Sequence, residues 1–330
     1  MTWFETLTGF RETSPGEVRK NLAVDGEQLT SSVNGKVMVC GRLETPSLAE
    51  LRERVGSRAR GGQLSVREVV ANVQELHADM SNAGSLFQVA SQFNLLEMVS
   101  PSRTPEHGVG IYENDHTQGP ACAIAAGAGT IYRNYFASVN GKIGQSVSNQ
   151  INSLADLGRT LGNSDSRLWE MRNGYALASG NGLIEISKRL RDVNEIERDE
   201  LRKLLRIGIQ WNTQVTLKDC THLVSQAYCS ALPVAYSNHS SDLWEDFARL
   251  VLEASYEATL CTAILNSLSS GDNRVFLTLL GGGAFGNETS WIMESIQHVL
   301  KIYEDSNIAV SIVSYGRSNV DVQRVVGQFP

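Results

Sequence analysis

Cysteine is scarce and unpaired in this chain. Five occur in 330 residues, Cys40, Cys122, Cys220, Cys229 and Cys261, and no two stand in a CxxC. The odd number and wide spacing argue against a disulfide framework and a structural zinc site. Cys40, Cys229 and Cys261 lie in apolar runs and read as buried thiols, in keeping with a reducing, cytoplasmic compartment. The opening MTWFETLTGF lacks the basic start and long apolar core of a signal peptide, although a secreted effector route stays open. No apolar run reaches the length of a membrane helix, so no membrane partner is expected. The net charge is −7, so there is no basic field for general nucleic-acid binding. GxSxG is absent, and Asn287-Glu288 stands where a P-loop lysine would follow the glycines. Both absences disfavour a serine hydrolase and a nucleoside triphosphatase. His116 has no second histidine at helical spacing, so neither metal nor cofactor is expected. His77 and His298 read as helix-surface residues.

What is present is a strand–glycine–helix passage at Val275–Trp291, VFLTLLGGGAFGNETSW. Glycines let backbone amides approach a ligand, and a helix start behind them favours an anion. The passage reads as a phosphate or diphosphate cradle, the alternative being a tight turn with no ligand. A dinucleotide-binding turn would follow the first strand of its unit with an acid about twenty residues on. Here the glycines come late and one strand remains, which disfavours a dehydrogenase.

The pattern along the chain predicts a strand at 36–40 and a helix at 47–55 with a Ser47/Glu50 capping box. It then predicts a second capped helix from Ser65 through 80, with Val66, Val69, Val70, Val73 and Leu76 on one face. A strand is expected at 86–90, a loop at 100–119 and a small-residue helix at 120–136. A helix at 142–161, an irregular stretch at 163–182 and a helix at 194–207 follow. The remainder alternates: strands at 209–217 and from 223, a helix at 242–268, a strand at 274–280, a helix at 288–303 and a last strand at 308–314. That alternation implies parallel βαβ crossovers around a buried sheet. No linker or repeat divides the chain, so one domain is expected, with a core at about 36–136 and 209–320 and a helical insertion at about 140–207.

Ligands of open α/β sheets sit beyond the carboxyl ends of the strands. The loops expected there are Gln92-Phe-Asn94 with Glu97, Tyr112–Pro120, and 281–287. The second holds Glu113, Asp115, His116 and Gln118 just before a helix start. A carboxylate there could position or deprotonate water, or the cluster could simply cap the helix.

Taken together the three loops resemble a macrodomain, the ADP-ribose-binding three-layer α/β/α fold with a mixed, largely parallel central sheet. The similarity lies in Phe87–Asn94, in Gln118-Gly-Pro-Ala-Cys-Ala-Ile-Ala-Ala-Gly127 and in Gly281–Asn287, whose Gly-Ala-Phe-Gly core is like the poly(ADP-ribose) glycohydrolase branch. It spans roughly 85–136 and 209–320. The resemblance implies that Asn94 bonds the distal ribose and that Gly281, Gly282, Gly283, Ala284, Phe285, Gly286 and Asn287 wrap the diphosphate and that ribose. It implies backbone donors from Gly119, Pro120, Ala121 and Cys122, and an adenine site near Tyr315 or Asn319, with Glu97 a second candidate. The glycohydrolase signature of a glycine triplet followed by Gln-Glu-Glu is absent; Glu113–Gln118 stands there instead. The chain therefore looks more like the MavL-type effector macrodomains, which act on ADP-ribosylated ubiquitin. The expectation is an ADP-ribosylhydrolase that removes single ADP-ribose units from a protein, ubiquitin among the candidates, by cleaving an N- or O-glycosidic bond. Asp115 would activate the water, with Glu113 second, and Gln118 would hold ribose hydroxyls. The alternative is an ADP-ribose reader without catalysis.

Overall fold

The computed structural model describes residues 1–329. An N-terminal unit comes first: helices α1 (Trp3–Thr8) and α2 (Pro15–Asn21), then a small antiparallel sheet of β1 (Leu22–Asp25), β2 (Gln28–Ser31) and β3 (Val37–Val39). Next are β4 (Arg42–Glu44), α3 (Leu48–Val55), β5 (Ser65–Val70), α4 (Val73–Ala78) and β6 (Leu86–Ala90). After a long loop come α5 (Gln118–Ala125) and α6 (Gly127–Tyr135), and the short pair β7 (Ser138–Val139) and β8 (Lys142–Ile143). The following segment holds α7 (Ala155–Leu161), the hairpin β9 (Trp169–Arg172) and β10 (Tyr175–Ala178), α8 (Gly180–Asp192) and α9 (Glu195–Arg202). The chain closes with β11 (Gly208–Gln214), β12 (Leu223–Cys229), α10 (Ser241–Ser270), β13 (Arg274–Leu277), α11 (Thr289–Ile302), β14 (Ala309–Ser314) and α12 (Val320–Val326).

The central sheet has seven strands in the order β4-β11-β12-β6-β13-β14-β5. From β12 to β5 neighbours are parallel; β11 is antiparallel to both of its neighbours. The fold is therefore α/β, a mixed and largely parallel sheet between helical layers. Alternation along the strands feeds two cores. Leu86, Val275 and Leu277 join the cluster around α10, whereas Phe87, Val89 and Phe276 join the opposite cluster beside α4 and α5. Because β6, β13 and β14 run the same way, their carboxyl ends open on one edge. Among the described residues no helix is long and apolar enough to cross a membrane.

Several local expectations need correction. The helix predicted from Ser65 is the edge strand β5 followed by the short α4. Val66, Val69, Val70 and Val73 fit a helical period, but the β-branched run pairs with β14 from Ser65↔Ala309 to Val70↔Ser314. The helix at 120–136 begins at Gln118 and breaks at Ala126, whose φ is −117° and ψ 57°. Its small residues do allow close packing: a Cβ on Gly129 would come within 2.7 Å of Thr213 Oγ1. The helix at 142–161 is real only over α7; Ile143 and Val147 are exposed, and Leu154, Leu157 and Leu161 carry the burial. The stretch at 163–182 is ordered as a hairpin that runs into α8. The strand at 274–280 stops at Leu277. All five cysteines are free, and Cys122 is buried along with the three expected.

Candidate functional site

A cleft of about 1140 Å³ lies beyond the carboxyl ends of β5, β13 and β14. A chamber of about 180 Å³ adjoins it. Asp115, Thr117, Gln118, Thr278, Leu279 and Gly283 border both. The glycine loop and the helix start at Gln118 thus meet at one junction.

The glycine loop is shaped by its own backbone. Gly281 (φ 76°) and Gly286 (φ 69°) are left-handed, and a Cβ on either would strike Ala231 or Ala235 within 3 Å. The Gly282 amide donates to Leu279 O, that of Gly286 to Gly283 O and that of Asn287 to Gly281 O. Asn287 is buried, and its Nδ2 donates to Leu232 O at 2.8 Å, closing the loop from behind. Gly283 has no such internal reason to be glycine: its φ is not left-handed and a Cβ there would meet nothing within 4 Å. The amides of Gly283, Ala284 and Phe285 donate to no described residue. Three consecutive free amides thus stand ahead of the α11 N-terminus, open to an anion. Phe285 turns back into an aromatic group. Its ring lies 5.3 Å from Tyr175 and 5.6 Å from Tyr236, which are 5.1 Å from each other. These rings wall the chamber. Tyr175 and Tyr236 had no local sequence signal, since they come from β10 and from the turn after β12.

The loop before α5 is largely occupied by internal bonds. Glu113 is exposed and accepts from the Trp3 amide at 3.0 Å. Asp115 Oδ1 accepts from Thr117 N at 2.9 Å and Thr117 Oγ1 at 2.7 Å, while no described residue donates to Oδ2. The Asp115 charge reaches the Tyr175 hydroxyl: burial raises that pKa first, then Tyr236, and Asp115 adds to the rise. Gln118 accepts from Ala90 N at 2.9 Å and donates to Gln88 O at 2.8 Å, so its amide ties α5 to β6 rather than pointing free. Gly119 permits that seat, because a Cβ there would lie 1.9 Å from Ala90 O. Pro120 has no amide proton, the Ala121 amide donates to Thr117 O, and Cys122 is fully buried. Of the backbone donors expected from 119–122, Gly119 is the one at the open helix start. His116 is exposed, and no group of potential metal ligands is found among the described residues.

Asn94 borders neither cavity. It is buried, donating to Gln150 Oε1 at 2.9 Å and accepting from Leu96 N at 3.1 Å. Glu97 is 1% exposed and lies at the chamber's edge, beneath Gly119. Burial pushes its pKa up to about 7, against the lowering effect of Arg133 at 3.4 Å. Arg133 also donates to Leu95 O and to the Tyr228 hydroxyl, and Tyr228 in turn donates to Gln226 Oε1. Gln226 Nε2 lies 3.1 Å from His77 Nε2. His77 is therefore not a surface residue: it is fully buried, stacked on Phe87, and held down to a pKa of about 4 by burial. His298 is exposed as expected. Tyr315 is 83% exposed on the cleft's far rim, and Asn319 caps α12, its Oδ1 accepting from Asp321 N.

No family model matches the chain, and no curated protein matches it. Solved structures do resemble it. Poly(ADP-ribose) glycohydrolase from Deinococcus radiodurans in complex with ADP-ribose is 10% identical, with 97% of this chain and 99% of that chain covered at a TM-score of 0.48. The Thermomonospora curvata poly(ADP-ribose) glycohydrolase is 11% identical, with 95% and 97% covered at 0.46. The same enzyme bound to the inhibitor ADP-HPD is 12% identical, with 95% and 97% covered at 0.44.

Proposed function

We propose that this protein binds ADP-ribose in the cleft and hydrolyses the bond joining a single ADP-ribose unit to a modified protein. The observation that carries the reading is the run of free amides at Gly283–Phe285, set where the cleft and the chamber join. The diphosphate sits over those amides. The distal ribose then enters the junction against Phe285, and its anomeric carbon faces Asp115. Fixing the diphosphate in this way gives the reacting carbon one orientation. Water adds to the anomeric carbon through an oxocarbenium-like transition state as the N- or O-glycosidic bond breaks. Asp115 has an unused Oδ2 with which to take a proton from that water, and the acceptor side chain leaves with a proton drawn from solvent, the carboxylate returning its own to solvent afterwards. Glu113, also on the cleft wall, is the second candidate.

The test is calorimetry with free ADP-ribose beside a hydrolysis assay on mono-ADP-ribosylated protein, ubiquitin being the first substrate to try. Asp115→Ala is expected to lower the rate at least ~100-fold, the usual scale for acid–base assistance, while ADP-ribose still binds. Intact hydrolysis in that variant overturns the assignment of Asp115. A reader without catalysis is favoured by one observation, that Glu113 and Gln118 are both spent on internal hydrogen bonds. In that case the unaltered protein binds ADP-ribose and releases none from any modified protein.

A further inference from the structure

The far rim of the cleft is a single loop held by a single carboxylate. Residues 315–319 follow β14 and lead into α12. Glu68 reaches across from β5 and accepts from that loop and from both elements that flank it: Ser314 Oγ at 2.5 Å in β14, Ser318 Oγ and Asn319 N at 2.6 Å each in the loop, and Gln323 Nε2 in α12. Each carboxylate oxygen takes two of these bonds. Desolvation acts to raise its pKa, but the four donors outweigh it and hold the group down to about 2. The loop is thus pinned although its residues 315–318 are all exposed.

This loop presents Arg317. Among the described residues bordering the large cleft it is the one lysine or arginine, and its side chain has no described partner. The opposite end of the same cleft carries Glu113 and Asp115. The glycine loop follows β13 and the Arg317 loop follows its parallel neighbour β14, and Gly282, Gly283 and Arg317 line the same cleft. The planar fork of an arginine matches phosphate oxygens.

We propose that Arg317 is the cationic contact to the diphosphate held at the glycine loop, and that Glu68 is a positioning residue that aims it. The proposal rests on the reading of the cleft as an ADP-ribose site. In a chain of net charge −7 this one cation offsets the acidic wall and makes binding salt-dependent.

The experiment is calorimetry of ADP-ribose, with adenosine as an uncharged probe, at low and high salt. Arg317→Ala is expected to weaken ADP-ribose about tenfold or more, to leave adenosine unchanged and to flatten the salt dependence. Arg317→Lys should recover part of the loss, since it keeps the charge but not the fork. Glu68→Ala should raise KM with kcat unchanged, because it loosens the loop and not the reacting end. If Glu68→Ala fails to fold, Arg317→Ala, altering only an exposed side chain, still decides the matter. Unchanged ADP-ribose affinity in Arg317→Ala, with the unaltered protein binding normally, overturns the proposal alone. No ADP-ribose binding by the unaltered protein overturns the cleft reading as well.

Discussion

The two faces of the sheet handle charge in opposite ways. On the α10 face, arginines bridge the helices that pack on an apolar cluster. Arg52 bonds Asp199 at 2.7 Å and Glu257 at 2.6 Å, and Arg202 bonds Glu253 and Glu195 at 2.7 Å each. These pairs join α3, α9 and α10, and none of them borders the cleft or the chamber. On the other face the polar groups lie inside the core. Arg133, Glu97, Tyr228, Gln226 and His77 are all buried and linked to one another directly beneath the site. A buried ion pair is poor evidence of stabilisation, because desolvation offsets much of its attraction. The comparison therefore separates two roles: ion pairs between helices, partly buried, fasten the α10 layer, and the buried chain fixes the floor on which α5 and the chamber rest.

The sharpest way to break this contrast is to remove one arginine from each face. Arg133→Met strands Glu97 in the core and should cost about 3–5 kcal/mol, the range for splitting a buried pair. It should also weaken ADP-ribose binding. Arg52→Met leaves the buried Glu257 with the Tyr303 hydroxyl as its remaining donor and should cost about 2 kcal/mol, with affinity unchanged. Urea unfolding and calorimetry on the same two variants decide it. Equal losses with both affinities intact would falsify the separation of roles.

Proton linkage sharpens it further. Glu97 rises from 4.5 to about 7 on folding, so the native state keeps a proton that the unfolded chain has lost. Its effect is a stability that falls as pH climbs from about 4.5 to about 7. His77 drops from 6.5 to about 4, so the unfolded chain holds the extra proton, and stability rises with pH across that window. Between 4.5 and 6.5 the two slopes oppose each other. Relative to the unaltered protein, Glu97→Gln should therefore gain stability with rising pH, and His77→Gln should lose it, when urea unfolding at pH 5 is compared with pH 7. On the α10 face Asp199 is held below its ordinary 3.8 by its hydrogen bonds to Arg52, so its contribution is lost only on deeper acidification. Arg52→Met should leave the pH 5 to pH 7 difference as it was.

Legibility in the sequence follows the range of the interaction. The capping box at Ser47 and the strand–glycine–helix passage at 275–291 are local, and the sequence marks both of them. The β5 strand is hidden in the sequence because Val66, Val69, Val70 and Val73 fit a helical period, and the strand is chosen by pairing with β14, 244 residues on for Arg67 and Ser311. Glu113, Asp115 and Gln118 were legible as a polar cluster on the cleft. What Gln118 does was not, since its partners Gln88 and Ala90 lie 30 and 28 residues away. Nor could His77 declare itself buried: the helix it ends is short, and the groups that enclose it, Phe87 and Gln226, come from β6 and β12. The aromatic wall of Tyr175, Tyr236 and Phe285 is assembled from a strand and two separate loops, a juxtaposition that no spacing encodes.

The smallest effect gives the cleanest control, because the same local chemistry occurs on both faces. Ser47 Oγ accepts from Glu50 N at the start of α3, and Asn72 Oδ1 accepts from Gln74 N at the start of α4. Replacing either cap with alanine should cost about 1 kcal/mol. Ser47→Ala should lower the melting temperature and leave ADP-ribose affinity alone. Asn72 borders the cleft, and α4 leans on α5 through Gln74 Nε2, which donates to Ala121 O at 3.2 Å. Asn72→Ala should therefore lower the melting temperature by a similar amount and weaken ADP-ribose binding as well. Matched stability losses with a binding defect in only one variant would show that the buried face transmits small disturbances to the site. If both variants bind normally, the glycine loop and its free amides hold the ligand without help from the α4–α5 layer, and the floor beneath them serves the fold alone.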